Sequence, residues 1–259
     1  MEREHITRRR LLSRLPEEGI SGWTSYRTPG SVPAFDEAAL PAEAADRVAA
    51  IAAASDTGCV LLAWPGDSML IVPPFPIEAD DDYSEVHARY LIESLERPRV
   101  VAAMLLRMGG FAVGFFRGEA VADSKTDRRF VKNRHRKGGQ SQRRFDRIRE
   151  KQVHELFGKA CAEARTKLCE YEDEIQHVFF GGDRLTLLAF RKECTYFERF
   201  GERVLNRVLQ VPGDPRHASL EVLPTEIWSS EVYTFPAKEA EIAPPAVEPS
   251  VEGRSDGAG

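Results

Sequence analysis

Cysteine is scarce in this 259-residue chain. There are only four, Cys59, Cys161, Cys169 and Cys194, and none belongs to a CxxC pair. That excludes the common zinc-finger and zinc-knuckle spacings, and each thiol is expected to pack reduced, as a small hydrophobe. Long apolar runs are missing too. No stretch approaches the roughly 20 apolar residues of a membrane span. The opening MEREHITRRRLLSRLPEEGI carries arginines but no apolar run of signal-peptide length. Neither GxxxxGKS/T nor GxGxxG occurs, which removes the glycine-loop nucleotide folds. A soluble, cytoplasmic chain without membrane contact is the expectation.

Charge is present in quantity but unevenly placed. The formal net charge is −5, which by itself argues against a polyanion partner. Between Lys125 and Lys151, however, 12 Lys or Arg stand against three acids, an excess of nine positive charges that leaves −14 for the remainder. Such asymmetry marks one surface for a polyanion. From Pro236 the chain reads PAKEAEIAPPAVEPSVEGRSDGAG, too poor in large apolar residues to offset ordering entropy, so 236–259 is expected to be a disordered tail.

Hydrophobic periodicity predicts a helix over 37–54 and a hairpin of CVLLAW (59–64) and SMLIV (68–72). A second helix is predicted over 84–96, stopped by Pro98. These form a small N-terminal α/β unit, residues 1–96. Two apolar strands follow, VVAAMLLRM and FAVGFF, separated by Gly109-Gly110, and then a more polar third, EAVADSKT. After a basic loop (132–141) comes a helix from 142 to about 170, with Phe145 and Ile148 among its core-facing positions. IQHVFF (175–180) reads as a strand, and Asp183 as the N-cap of a helix running to about Gln210. ASLEVL (218–223) reads as the last strand. The order β-β-β-α-β-α-β predicts an α/β (α+β) domain over 97–235, with helices covering a mixed sheet.

The basic loop contains the informative segment, KNRHRKGGQSQRRF at 132–145. Gly138 and Gly139 allow backbone dihedrals closed to other residues and a close approach to a ligand. Lys132, Arg134, Arg136, Lys137, Arg143, Arg144 and Arg147 are candidates to neutralise RNA phosphates. Gln140 offers a backbone N–H and a side-chain amide, suited to an oxyanion and to an attacking water. An ester is already activated, so orientation of one water can suffice without a strong base. Gln140 is therefore the candidate catalytic residue, with His135 the rival as a neutral base among cations. Asp123 and Asp127 suggest a metal site only weakly, because no third carboxylate converges on them; no cofactor is called for.

Residues 138–154, GGQSQRRFDRIREKQVH, resemble the GGQ-containing middle domain of class I release factors of the eukaryotic and archaeal type. Arg144, Phe145, Arg147, Arg149, Glu150 and His154 stand where that family has its arginine–phenylalanine pair and its spaced Arg, Glu and His. Over roughly 97–225 the chain resembles the Vms-like release factor (VLRF) family, and within it the actinobacterial peptidyl-tRNA hydrolases. The resemblance implies a ribonuclease-H-like sheet lacking that fold's metal carboxylates. It also implies a monomer acting on the large ribosomal subunit, with peptidyl-transferase-centre rRNA and peptidyl-tRNA as partners. These 259 residues contain no NIKS-like codon reader, partner-GTPase domain, zinc finger or ankyrin array. That favours a codon-independent hydrolase of stalled nascent chains. The alternatives are a non-catalytic ribosome-binding factor that keeps the GGQ shape, and a metal-dependent nuclease, which the missing acidic cluster opposes.

Overall fold

The computed structural model describes residues 1–33, 42–128, 131, 140–210 and 213–236, and for 42 and 140–143 the backbone alone. Apart from Pro236, the expected tail lies outside the described residues. The chain has a mixed α/β architecture with two β-sheets. It divides into two compact units. One comprises Met1–Ile6, Leu12–Ile92 and the stretch from Glu231; the other comprises Thr7–Leu11 and Glu93–Ser230.

The first unit's sheet runs β1 (Glu2–Ile6), β11 (Ser230–Phe235), β4 (Asp67–Val72), β3 (Cys59–Trp64), β2 (Ser21–Arg27), β5 (Asp81–Glu85). The expected hairpin is β3–β4, closed at Trp64↔Asp67. The short helix α1 is Arg8–Leu12, and helix α2 (Ala42–Ala54) lays Ala44, Val48 and Ala52 on Cys59, Leu61 and Ala63 of β3. Those helix positions are four apart and small, so the helix can lie close to the sheet. The helix expected over 84–96 is only α3 (Arg89–Glu96). The residues before it are claimed by β2 and the turn preceding it: Val86 N–H donates to the Ile20 carbonyl at 3.0 Å, and His87 N–H to Thr24 Oγ1 at 2.8 Å.

In the second unit the strand order is β10 (Val204–Leu209), β9 (His177–Gly182), β6 (Val100–Arg107), β7 (Gly110–Arg117), β8 (Ala120–Arg128). The β6-β7-β8 meander is antiparallel, whereas β9 runs parallel to both β6 and β10. Alternate residues of three strands, Ala102, Met104 and Leu106, Phe111, Val113 and Phe115, Val178 and Phe180, build one core face. Onto it pack α4 (Gln140–Leu168), α5 (Arg184–Glu193) and a 3-10 segment (Thr195–Arg203). The Asp183 carboxylate caps α5, accepting from Thr186 N–H at 2.9 Å, as its sequence position suggested. Helix α6 (His217–Ile227) packs on β7 and β8, where Gly114 lets Leu220 approach to 3.2 Å from the position a Cβ would take.

Three expectations need correction here. The helix after Asp183 ends at Glu193, not near Gln210, because the chain turns at Gly201, whose φ of 51° suits glycine, and then enters β10 beside β9. ASLEVL is not a strand but the body of α6, with Leu220, Leu223 and Ile227 buried at helical spacing. The thiols are not all reduced, since Cys161 of α4 and Cys194 at the end of α5 form a disulfide. Cys59 and Cys169 remain free. Titration of the denatured, unreduced protein should therefore count two thiols. A count of four would contradict the disulfide.

His177, at the start of β9, is largely buried, and burial together with the nearby Arg99 cation lowers its pKa to about 4. The unfolded chain takes up a proton near pH 6.5, and the folded chain takes it up only near pH 4. Stability is therefore unaffected above pH 6.5 and falls between those values, by about 3 kcal/mol at the lower end. His177→Gln should flatten that part of the stability–pH curve measured by urea unfolding. An unchanged curve would show that His177 is not the group titrating.

Candidate active site

The GGQ segment leaves the end of β8 and enters the first turn of α4. Of the expected site residues, Lys132, Arg134, Arg136, Lys137, Gly138 and Gly139 lie outside the described residues, as does His135. Gln140 is the first residue of α4, and the side chains of Gln140 and Arg143 lie outside the described set. Arg144 and Arg147 are exposed on α4 and form no ion pair among the described residues. Phe145, expected in the core, is 48% exposed, and Ile148 is half-buried. The core begins further down the helix.

Elements on both sides of the segment are firmly held. Val131, between β8 and α4 in the chain, is buried in the sheet core. Along α4, Leu156, Phe157, Ala160, Ala164 and Leu168 are at most 1% exposed. Two ion pairs join α4 to β8. Lys167 Nζ stands 2.8 Å from Asp123 Oδ1, and Lys159 pairs with Asp127. The Asp123 carboxylate raises the Lys167 pKa. His154 Nδ1 lies 2.6 Å from Glu193 Oε2, and the Cys161–Cys194 disulfide makes a second tie to the end of α5.

These positioning residues escaped the sequence reading, although a signal existed. Asp123 and Asp127 are four apart on a strand, hence on one face and about 13 Å apart. Lys159 and Lys167 are eight apart on a helix, hence on one face and about 12 Å apart. Equal spans on consecutive, oppositely running elements permit two ion pairs at once. The carboxylates considered for a metal are thus engaged by lysines. Among the described residues, no group of three or more His, Cys, Asp or Glu is placed to hold a metal ion.

Residues 99–233, just over half of the chain, match the family described as the Actinobacteria/chloroflexi VLRF1 release factor, and the chain belongs to that family. It is 30% identical over 123 residues to peptide chain release factor subunit 1 of Archaeoglobus fulgidus, covering 47% of this chain and 30% of that protein. To the Methanopyrus kandleri protein of the same description it is 30% identical over 118 residues, covering 44% and 28%. The chain thus spans less than a third of the length of the curated relatives it matches. Among solved structures, the archaeal translation termination factor aRF1 is similar at TM-score 0.38 and 16% identity, over 85% of this chain and 71% of that one. Archaeoglobus fulgidus Pelota is similar at TM-score 0.28 and 12% identity, over 82% and 56%.

Burial outweighs charge in holding α4. The Lys159–Asp127 partners are 38% and 26% exposed, so a double-mutant cycle on Lys159→Met and Asp127→Asn should return a coupling of about 1 kcal/mol or less. Phe157→Ala should cost about 3–5 kcal/mol in the same unfolding assay. A coupling larger than the Phe157 effect would reverse the assignment.

Proposed function

We propose that this chain hydrolyses the ester of peptidyl-tRNA without reading a codon, releasing nascent chains from stalled ribosomes or large subunits. The observation that carries this reading is that the family match, residues 99–233, contains the GGQ segment, its basic flanks and the whole of α4. On this reading the second unit is the catalytic domain, with a ribonuclease-H-like sheet, and α4 is the stalk that presents the loop. The arginines and lysines of 132–147 hold the loop against ribosomal RNA and the tRNA acceptor end.

The chemistry asked of the chain is modest. Water adds to the ester carbonyl carbon, the carbonyl oxygen becomes an oxyanion, and the bond to the ribose oxygen breaks. The ribose oxygen leaves with one proton of the attacking water, giving a free tRNA hydroxyl and a peptide carboxylic acid, which loses its remaining proton to solvent and becomes the carboxylate. Gln140 N–H is assigned to the oxyanion and the Gln140 amide to the water, and Gly138 and Gly139 permit the close backbone approach. Water exclusion and alignment, not a metal or a titrating base, then supply the acceleration.

The test is release of labelled peptide from purified ribosomal complexes stalled on a sense codon, on a stop codon, or with no codon in the decoding site. The wild-type chain should release from all three at similar rates, and Gln140→Ala should be slower by roughly 10² or more while still binding. Full activity in Gln140→Ala would exclude the GGQ mechanism. A strong stop-codon requirement would replace rescue with termination. Binding without release by the wild-type chain would favour a non-catalytic ribosome-occupying factor.

A further inference from the structure

Pairing across the second sheet places several chain segments at one end of it. Leu106 of β6 is level with Gly182 of β9, and Arg107 is level with Gly110, which is level with Arg128 of β8. The GGQ segment and the start of α5 therefore leave the sheet from the same end. Beside α5, at that end, is a cavity of about 640 Å³, within the ~300–1,000 Å³ range of small-ligand sites.

An irregularity in β10 helps to make this space. Val204 pairs with Val178 and Val208 with Phe180, so three residues, Leu205 to Arg207, stand opposite a single residue of β9. A bulge of that kind bends an edge strand and recurs next to functional sites. The floor is apolar, from Phe180, Leu187 and Val208, and Leu188 at its side is 49% exposed. Arg184 and Arg191 also line the cavity. The Arg191 guanidinium lies 5.2 Å from the Phe180 ring centroid, and Arg184 makes no ion pair among the described residues. By contrast, Arg117, Arg199 and Arg207 of the same unit all have carboxylate partners. The cavity's own carboxylate, Asp183, is occupied by Thr186, whose N–H and Oγ1 donate to it at 2.9 and 2.8 Å. The amides of Asn206 and Gln210 complete the lining.

We infer that this cavity binds one unstacked nucleotide of the RNA on which the GGQ loop acts. The base stacks on the outer face of the Arg191 guanidinium, which itself lies over the Phe180 ring, with the exposed Leu188 beside it. Asn206 and Gln210 meet its polar edge, and Arg184 takes the adjoining phosphate. Splayed bases held between apolar and guanidinium surfaces, with amides at the edge, are the usual mode of single-stranded RNA recognition. An acidic protein segment would engage the two arginines but leave the exposed apolar Leu188 without a role. The inference rests on the RNA-facing reading of the GGQ segment, and extends it to residues some 45 positions later in the chain.

The experiment uses the full chain and a mixed-sequence single-stranded RNA of about 12 nucleotides carrying 4-thiouridine. Binding is measured against salt, and photo-crosslinks are mapped by mass spectrometry. Crosslinks within 184–191 or 204–210 are expected. Arg184→Ala with Arg191→Ala should weaken binding about tenfold and reduce the salt slope by about 0.7, one single-strand phosphate contact. Far-UV circular dichroism and the melting temperature establish that this double variant is folded. The inference is overturned by crosslinks confined to 128–151, by an unchanged affinity and slope in the folded double variant, or by a polyglutamate peptide that protects the cavity while RNA does not crosslink there. None of these readouts needs hydrolysis. A chain that crosslinks here but releases no peptide keeps the inference and loses the hydrolase reading; one that releases peptide without crosslinking here does the reverse.

Discussion

Burial of the C-terminal half of α4 against the second sheet is the constraint on which the site depends. A helix of 29 residues is about 43 Å long. The longest strand beneath it, β8, has nine residues and spans about 30 Å. Helix and sheet cannot match, so about nine residues of helix must overhang one end. Burial places the overhang: Leu156, Phe157, Ala160, Ala164 and Leu168 are buried, while Arg144, Phe145 and Arg147 are exposed. An N-terminal part of α4 that projects past the sheet follows from a length mismatch and needs no special contact there.

Charge has a different part in the same element. The ion pairs from Lys159 and Lys167 to β8 are half-exposed and contribute little energy. They fix instead which turn of α4 lies beside which residue of β8, something an apolar stripe of Leu, Phe and Ala specifies weakly. The disulfide from Cys161 to Cys194 adds a covalent limit on sliding relative to α5. Both devices sit on the buried part of the helix. The unpaired arginines sit on the overhang, where no carboxylate among the described residues neutralises them, so their charge remains available to a polyanion.

The sequence was most legible where one physical signal dominated. CVLLAW, VVAAMLLRM and FAVGFF are continuous apolar runs bounded by turn residues, and all three are strands. The long helix after the GGQ segment and its Asp183-capped successor also follow from periodicity and capping. Reading failed where two signals competed. VLNRVL could extend a helix, but it is an edge strand because a neighbouring parallel strand offers hydrogen bonds. ASLEVL alternates like a strand, yet Leu220, Leu223 and Ile227 share a helical face that only the sheet beside them reveals. Phe145 has the right period for the core but lies beyond the end of the sheet, and no one-dimensional pattern reports where a sheet stops. The disulfide was hidden for a similar reason: the 33-residue separation of Cys161 and Cys194 says nothing until α4 and α5 are placed side by side.

Parallel strands bring a second consequence. Because β6, β9 and β10 run in one direction, and β8 shares it, every connection that follows these strands emerges at one end of the sheet. The loop after β8 becomes the GGQ segment, and the residue after β9 becomes the cap of α5. Such ends are where open α/β sheets gather ligand-binding groups, since helix starts and strand-end loops converge there. The overhang of α4 points away from the same end. On the RNA-facing reading proposed above, arginines of both α4 and α5 lie on the side from which the RNA would approach. The topology thus brings the start of α4 and the start of α5, with Arg144 and Arg147 on one and Arg184 and Arg191 on the other, to the same end of the second sheet.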